Sequence, residues 1–211
     1  MTAQEIYDSL KVYGNSVETT ICHLHKPTAK IPCCLNPIFK CDNSSHTKVV
    51  DFDCITSNYC KSQGIKTYSS ADALSYKDKY LLFIEIKGWR QFIKNELHDK
   101  YDKTKIENKE LSYNLDKKLN ESIIVCQQII SPDTIVADEN IIYILVIDTD
   151  IKKQDAQTQL LYNLNTLATS SSSIYVAINN ITETHLQHSV KQSVRKIRTF
   201  CQNLDNIYSN I

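Results

Sequence analysis

The chain has 211 residues, 42% of them apolar and 23% charged, with 24 basic and 24 acidic side chains that cancel at neutral pH. That size predicts a single domain able to bury its own core. The zero balance excludes a protein held on nucleic acid by a broad basic field, though not one with a local basic groove. No run of eighteen apolar residues occurs, so no membrane span is expected. Met1 to Gly14 lacks the basic start and apolar stretch of a secretion signal, which makes the cytoplasm the expected location. Gly14, Gly64 and Gly88 are the only glycines, so there is neither a G-x-G-x-x-G dinucleotide loop nor a Walker-type phosphate loop. No serine sits in a G-x-S-x-G elbow either.

In chain order, Thr2 to Tyr13 reads as a short helix with Ile6, Leu10 and Tyr13 as its apolar stripe and Thr2 and Glu5 as a capping box. Residues 15–45 have no clean period, and Pro27, Pro32 and Pro37 interrupt them, which gives an irregular Cys-rich arm. Lys48 to Ile55 reads as a strand or the approach to one. Ala71 to Tyr76 and Tyr80 to Lys87 read as a β-hairpin turning at Lys77-Asp78-Lys79. The near-continuous apolar run from Tyr80 to Ile84 suits a central strand covered on both faces. Gly88 to Asn108 is polar and irregular, in part helical.

Glu110 to Ile130 reads as one helix, with Leu111, Leu115, Leu119, Ile123, Cys126 and Ile130 at spacings of three and four. Ile141 to Ile147 is a buried strand, Gln154 to Ala168 a helix, and Ser170 to Ser173 a loop. Ile174 to Ile178 is a strand and Thr184 to Leu204 a closing helix. These elements predict an α/β fold, a central mixed sheet flanked by helices. The expected organisation is one domain over 1–211, with the arm at 15–45, a core at 48–148 and a completing helix-strand-helix at 151–211.

The chemistry sits in the hairpin. Glu85 and Lys87 are two apart on a strand and share a face, while Ile84 and Ile86 point the other way. Burying such a charged pair on an apolar central strand is expensive unless it is paired or used. Asp72 opens the neighbouring strand and can lie beside them. Two carboxylates on adjacent strands suit a hard divalent ion. Such an ion activates water and neutralises phosphate charge, and a lysine alongside can orient the nucleophile or stabilise the developing oxyanion.

Asp72 before a hairpin, followed by Glu85-Ile86-Lys87 on an apolar strand, resembles the PD-(D/E)XK nuclease superfamily over about 48–148, with Ala71 in place of the motif's proline. The resemblance implies a restriction-endonuclease-like α-β-β-β-α-β core and a nuclease that needs Mg2+ or Mn2+. Asp72 and Glu85 would bind the metal, and Lys87 would serve the catalytic water. Members often add an acid from the first helix, for which Glu5 is the candidate and Asp51 and Asp53 are rivals. Some place a Lys or Gln on the helix after the motif, here Lys118 or Gln127.

Each residue also has a plainer reading. Glu85 and Lys87 also fit an exposed cross-strand pair, Asp72 a strand-start residue bonding its own backbone, and Glu5 a capping acid alone. Trp89 and Arg90 are candidates to stack on a base or touch a phosphate. Lys118 and Arg195 are further nucleic-acid contacts, and Lys191, Arg195, Lys196 and Arg198 form a basic run expected on the last helix.

Of the eight cysteines, six fall between Cys22 and Cys60. Without a secretion signal they are expected as thiols rather than disulfides. Cys22, His23, His25, Cys33, Cys34, Cys41, His46, Cys54 and Cys60 contain no C-x2-C pair, so a structural Zn2+ is a weak alternative. The expected function is a Mg2+-dependent endonuclease acting on DNA, by analogy in restriction or phage defence. Zero charge and modest size suggest a homodimer or a subunit of a larger complex. The alternative is a non-catalytic inhibitor, immunity or assembly subunit on the same fold.

Overall fold

A computed structural model describes residues 1–26, 31–32, 35, 45–98, 100–131, 137–148 and 174–211. Helix α1 (Ala3–Tyr13) opens on the capping box expected of Thr2 and Glu5. Strand β1 (Thr19–Thr20) and the single-turn α2 (Ile21–Leu24) follow, then β2 (Lys48–Asp51) and α3 (Phe52–Gln63). Strands β3 (Ala73–Lys77) and β4 (Tyr80–Lys87) form the hairpin, closed by Asp78 at a φ of 51°. Helix α4 (Arg90–Phe92) runs into a π-helical turn (Ile93–Leu97), followed by α5 (Lys103–Leu111) and α6 (Leu115–Ile130). Strand β5 (Ile141–Ile147), α7 (Ile174–Ser189), β6 (Arg195–Phe200) and α8 (Leu204–Ser209) complete the described chain.

The fold is α/β, with a six-stranded mixed sheet in the order β1-β2-β3-β4-β5-β6. The first four strands pair antiparallel, and β4-β5 and β5-β6 pair parallel. Side chains two apart along β4 and β5 face the same way. Leu81 and Phe83, with Tyr143, Leu145 and Leu74, enter the larger core beneath α1, α3, α6 and α7. Leu82 and Ile84, with Ile142, Ile144 and Val146, enter a smaller core under α2 and α8. All seven residues of β5 are buried, as expected of a parallel strand covered on both faces. Among the described residues no helix is long and apolar enough to cross a membrane.

The structure departs from the sequence expectations in four places. The Lys48–Ile55 strand stops at Asp51, whose carboxylate accepts the Cys54 N–H at 2.8 Å and starts α3. A helix therefore stands between the first motif strand and the hairpin. The expected helix over 110–130 is two helices. Asn114 adopts the left-handed conformation at a φ of 49°, so Leu111 ends up 59% exposed while Leu115 and Leu119 are buried. Ile174 to Ile178 is the first turn of α7, not a strand. The expected closing helix over 184–204 ends at Ser189, after which the chain extends alongside β5 with Arg195 opposite Ile142 and Phe200 opposite Ile147. Val190, Val194, Cys201 and Leu204 are buried as the helical reading required, but by a turn, a strand and a short helix. The expected helix at 154–168, the serine loop, and Cys33, Cys34 and Cys41 lie outside the described residues.

Candidate active site

Glu85 points into the larger core from the carboxyl end of β4, and its side chain is 0% exposed. The register that sets Ala73 opposite Ile84 carries Asp72 to the position facing Glu85 on the same side of the sheet. Two bonds fix Asp72 there. Its Oδ2 accepts the Ile86 N–H at 2.6 Å, and its carbonyl accepts the Phe52 N–H at 3.1 Å. One residue earlier, the Ala71 N–H donates to Ser122 Oγ at 2.9 Å, which ties the approach of β3 to α6.

Two lysines meet these carboxylates. Lys87 Nζ contacts Glu85 Oε1 and lies 4.6 Å from the centre of the Tyr113 ring. Lys118, on α6, reaches Glu85 Oε1 at 2.8 Å, the Ser70 carbonyl at 3.0 Å and Asp72 Oδ1 at 3.9 Å. A single ammonium nitrogen therefore touches both carboxylates. Glu85 Oε2 is buried and accepts no hydrogen bond among the described residues.

Burial is the main force pushing the Glu85 carboxyl up to about 7, and Asp72 adds to it against the pull of Lys87 and Lys118. Burial draws Lys118 down, but Glu85 and Asp72 outweigh it and hold its ammonium above the ordinary lysine range. Asp53 is also raised, by desolvation at the pocket wall and then by Asp72, although it accepts a short hydrogen bond from Ser70 Oγ.

Asp72, Asp53 and Lys87 open onto a pocket of about 430 Å3 walled also by Asp51, Tyr113 and His25, whereas Glu85 and Lys118 are not among its wall residues. Behind His25, the Trp89 and Arg90 N–H groups donate to Asp148 Oδ1 at 2.6 and 3.2 Å. Burial raises Asp148, with His25 opposing. Gly88 leaves close room at the seam, since a Cβ there would stand 3.1 Å from His25 Nε2 and 3.5 Å from Asp148 Oδ2. The pocket thus lies off the carboxyl ends of β2 and β4, the kind of place where open α/β sheets commonly bind ligands.

The structure brings together Asp72, Glu85, Lys87 and Lys118, with Asp51 and Asp53 on the pocket wall. Lys118 is therefore part of the carboxylate cluster rather than a distant nucleic-acid contact. Glu5 is not among the wall residues. It is exposed and bonded to Thr2, as a capping acid. Gln127 is half-buried on α6, nine residues from Lys118 and so on the opposite side of that helix.

Trp89 is wholly buried, edge-on to Phe92 and Tyr113, and so cannot stack on a base. Arg90 is half-buried beside Asp148. Arg195 is exposed, but it opens β6 rather than lying on a helix. In the same segment Lys196 caps the end of α7 through the Gln187 and Val190 carbonyls, both at 3.0 Å, and Arg198 pairs with Glu183 at 2.9 Å.

Tyr113, His25, Asp148 and Lys109 were not singled out for this pocket by the sequence. Asp148 alone carried a usable signal, as an acid directly after a fully apolar parallel strand. Cys22 lies 3.4 Å from Cys201, and Cys60 accepts the Tyr68 N–H at 3.4 Å, so these two thiols of the proposed zinc set occupy separate places. Among the described residues no group of three or more His, Cys, Asp or Glu side chains is arranged to hold a metal. The chain was compared with protein-family models, curated proteins and solved structures, and no match was found in any of the three.

Proposed function

We propose that the chain is a divalent-metal-dependent nuclease of the PD-(D/E)XK kind, with Asp72 and Glu85 as metal ligands and Lys87 beside the attacking water. The observation that carries this reading is the pairing of Asp72, on the wall of an open pocket, with a fully buried Glu85 next to it, with two lysines attached. The donor set fits Mg2+ or Mn2+. Magnesium is held by one or two carboxylates plus waters and substrate phosphate, so no all-protein cage is needed. Glu85 Oε2 is a buried acceptor with no donor, as an oxygen facing a cation would be.

The bound ion would supply Lewis acidity and a more acidic water. The protein's own groups do the rest. Asp72 and Glu85 fix where the reacting phosphate can sit. Lys87 is held at its work by the Tyr113 ring and Glu85, where it can orient water and oppose charge on the phosphoryl oxygens. Lys118 positions both carboxylates. DNA as substrate, a cytoplasmic setting, a role in restriction or phage defence, and action as a homodimer or within a larger complex belong to this proposal.

The test is cleavage of plasmid, linear single-stranded DNA and RNA with Mg2+, Mn2+ or EDTA. Asp72→Asn, Glu85→Gln and Lys87→Ala should each abolish metal-dependent cleavage while far-UV circular dichroism stays unchanged. Cleavage that persists in all three removes the site. One observation favours a non-catalytic binding subunit instead: two lysines already balance the two carboxylates. Calorimetry decides between the readings, since a subunit of that kind takes up no Mg2+ or Mn2+.

A further inference from the structure

We propose that substrate reaches this pocket as a single nucleic-acid strand, laid in a groove between the Gly88–Leu97 segment and α5. The inference rests on the nuclease reading and adds the substrate's form and path. The groove is continuous. Gly88, Gln91 and Lys109 wall both the active-site pocket and a hollow of about 150 Å3 beside it. Phe92, Glu96 and Lys109 carry that hollow into another of about 420 Å3, which ends at Lys105 and Asn108.

Along the two outer hollows the cations are Lys109 midway and Lys105 at the far end, against one acid, Glu96, while at the pocket Lys26 and Lys87 stand with Asp51, Asp53 and Asp72, the acids assigned to the metal side of the site. Lys105 Nζ donates to the Glu96 carbonyl at 3.3 Å, which places its charge on the rim. Lys109 Nζ lies 5.6 Å from the centres of the Phe92 and Tyr113 rings. Phe92 is braced edge-on by Trp89 at 5.5 Å and is half-buried, so part of its surface faces the groove as a stacking platform. Gln91, Asn95 and Asn108 offer amides along the way. Cations spaced along a channel with an aromatic between them are what a lone strand needs, since it presents both phosphates and base faces.

Depth separates a lone strand from a duplex. The Glu85 side chain is 0% exposed, Lys87 15% and Asp72 24%. The exposed parts of Lys87 and Asp72 are the groups a phosphate can reach, and a flexible strand can bend toward them more readily than a stiff duplex, whose partner strand comes with it. The zero net charge of the chain also gives a duplex no broad attractive field.

The experiment is fluorescence anisotropy on the full chain, with labelled single-stranded DNA, single-stranded RNA and the matching DNA duplex. Ca2+ replaces Mg2+ so that binding is read without turnover. A single strand should bind at least tenfold tighter than the duplex. Three lysine–phosphate contacts give a log-log salt slope of about −2 on a single strand. Lys105→Ala with Lys109→Ala should weaken binding roughly tenfold and reduce that slope by about 1.4. Lys105→Ala alone, at an exposed position, should reduce it by about 0.7, and Phe92→Ala should weaken single-strand binding without changing the slope. Equal affinity for duplex and single strand, or an unchanged slope in both lysine variants, overturns the proposal. A single strand bound in the groove but never cut with Mg2+ supports the groove and defeats the nuclease reading. A duplex cut as fast as a single strand does the reverse. The DNA and RNA arms identify which sugar the groove prefers.

Discussion

Glu85→Gln should stabilise the metal-free protein at alkaline pH and leave it unchanged in acid. Burial and Asp72 raise the Glu85 pKa from 4.5 to about 7. A carboxyl raised in the folded state favours the protonated form. Below its unfolded value it therefore imposes no charge penalty, between 4.5 and about 7 the penalty grows, and above that it is complete. The shift corresponds to about 3 kcal/mol. Glutamine mimics the protonated acid and escapes the penalty.

Urea unfolding of both proteins at pH 4 and pH 8 reads Glu85 together with the neighbours coupled to it, because titrations elsewhere cancel in the difference. The variant should gain about 3 kcal/mol at pH 8, or roughly 6–12 °C in Tm for a chain of this size, and about nothing at pH 4. Mg2+ should then raise the Tm of the wild type at pH 8 and not that of the variant, since a cation beside Glu85 relieves the same penalty. If the two proteins differ by the same amount at both pH values, Glu85 is not a strained buried carboxylate and the reasoning fails.

Lys118→Met removes a charge held between Glu85, Asp72 and the Ser70 carbonyl. It should lower stability by about 3 kcal/mol, seen in denaturant unfolding, and move the Glu85 titration further upward. Gly14→Ala places a Cβ 2.5 Å from Ile55 Cγ1 in the core and should lower stability by about 1–3 kcal/mol in the same measurement; no loss would mean that Ile55 repacks freely. Trp89 is the only tryptophan and is wholly buried. Its emission should be blue-shifted and resistant to acrylamide, and saturating single-stranded oligonucleotide should not quench it; strong quenching would place a base against its ring.

The motif hairpin was legible because two periods agree along it. Alternation fixes which face Glu85 and Lys87 share, and the length of the apolar run fixes that both faces are covered. The C-terminal third was not legible. Leu186, Val190, Val194, Ile197, Cys201 and Leu204 recur at helical spacings, yet Ile197 lies on a strand because β5 offers it an open parallel edge. Local pattern cannot report a pairing partner fifty residues away, and tertiary pairing overrode propensity there. The split between α5 and α6 escaped for a related reason. Leu111 keeps the spacing of Leu115 and Leu119, and only Asn114, tolerant of the left-handed conformation, marks the break.

The site was half legible for the same reason. Asp72, Glu85 and Lys87 are set by one hairpin, and their convergence follows from register alone. His25 and Tyr113 arrive from the residue after α2 and from the turn between α5 and α6, and nothing in their own neighbourhoods marks them, whereas Lys118 was a candidate on the helix after the motif and Asp148 follows a fully apolar strand. What distinguishes the cluster from a simple ion pair is its arrangement rather than its net charge, since two lysines balance two carboxylates. A structural ion pair would match one buried acid to one lysine and satisfy all its oxygens. Here a second carboxylate is pressed against the first, both lysines crowd one oxygen, and the other oxygen is left without a donor. A buried carboxylate with a raised pKa and specific charged partners, kept beside an open pocket, is the kind of perturbed cluster from which functional sites are built. The proposed divalent cation would relieve the same carboxylate repulsion that a proton relieves when Glu85 titrates at about 7.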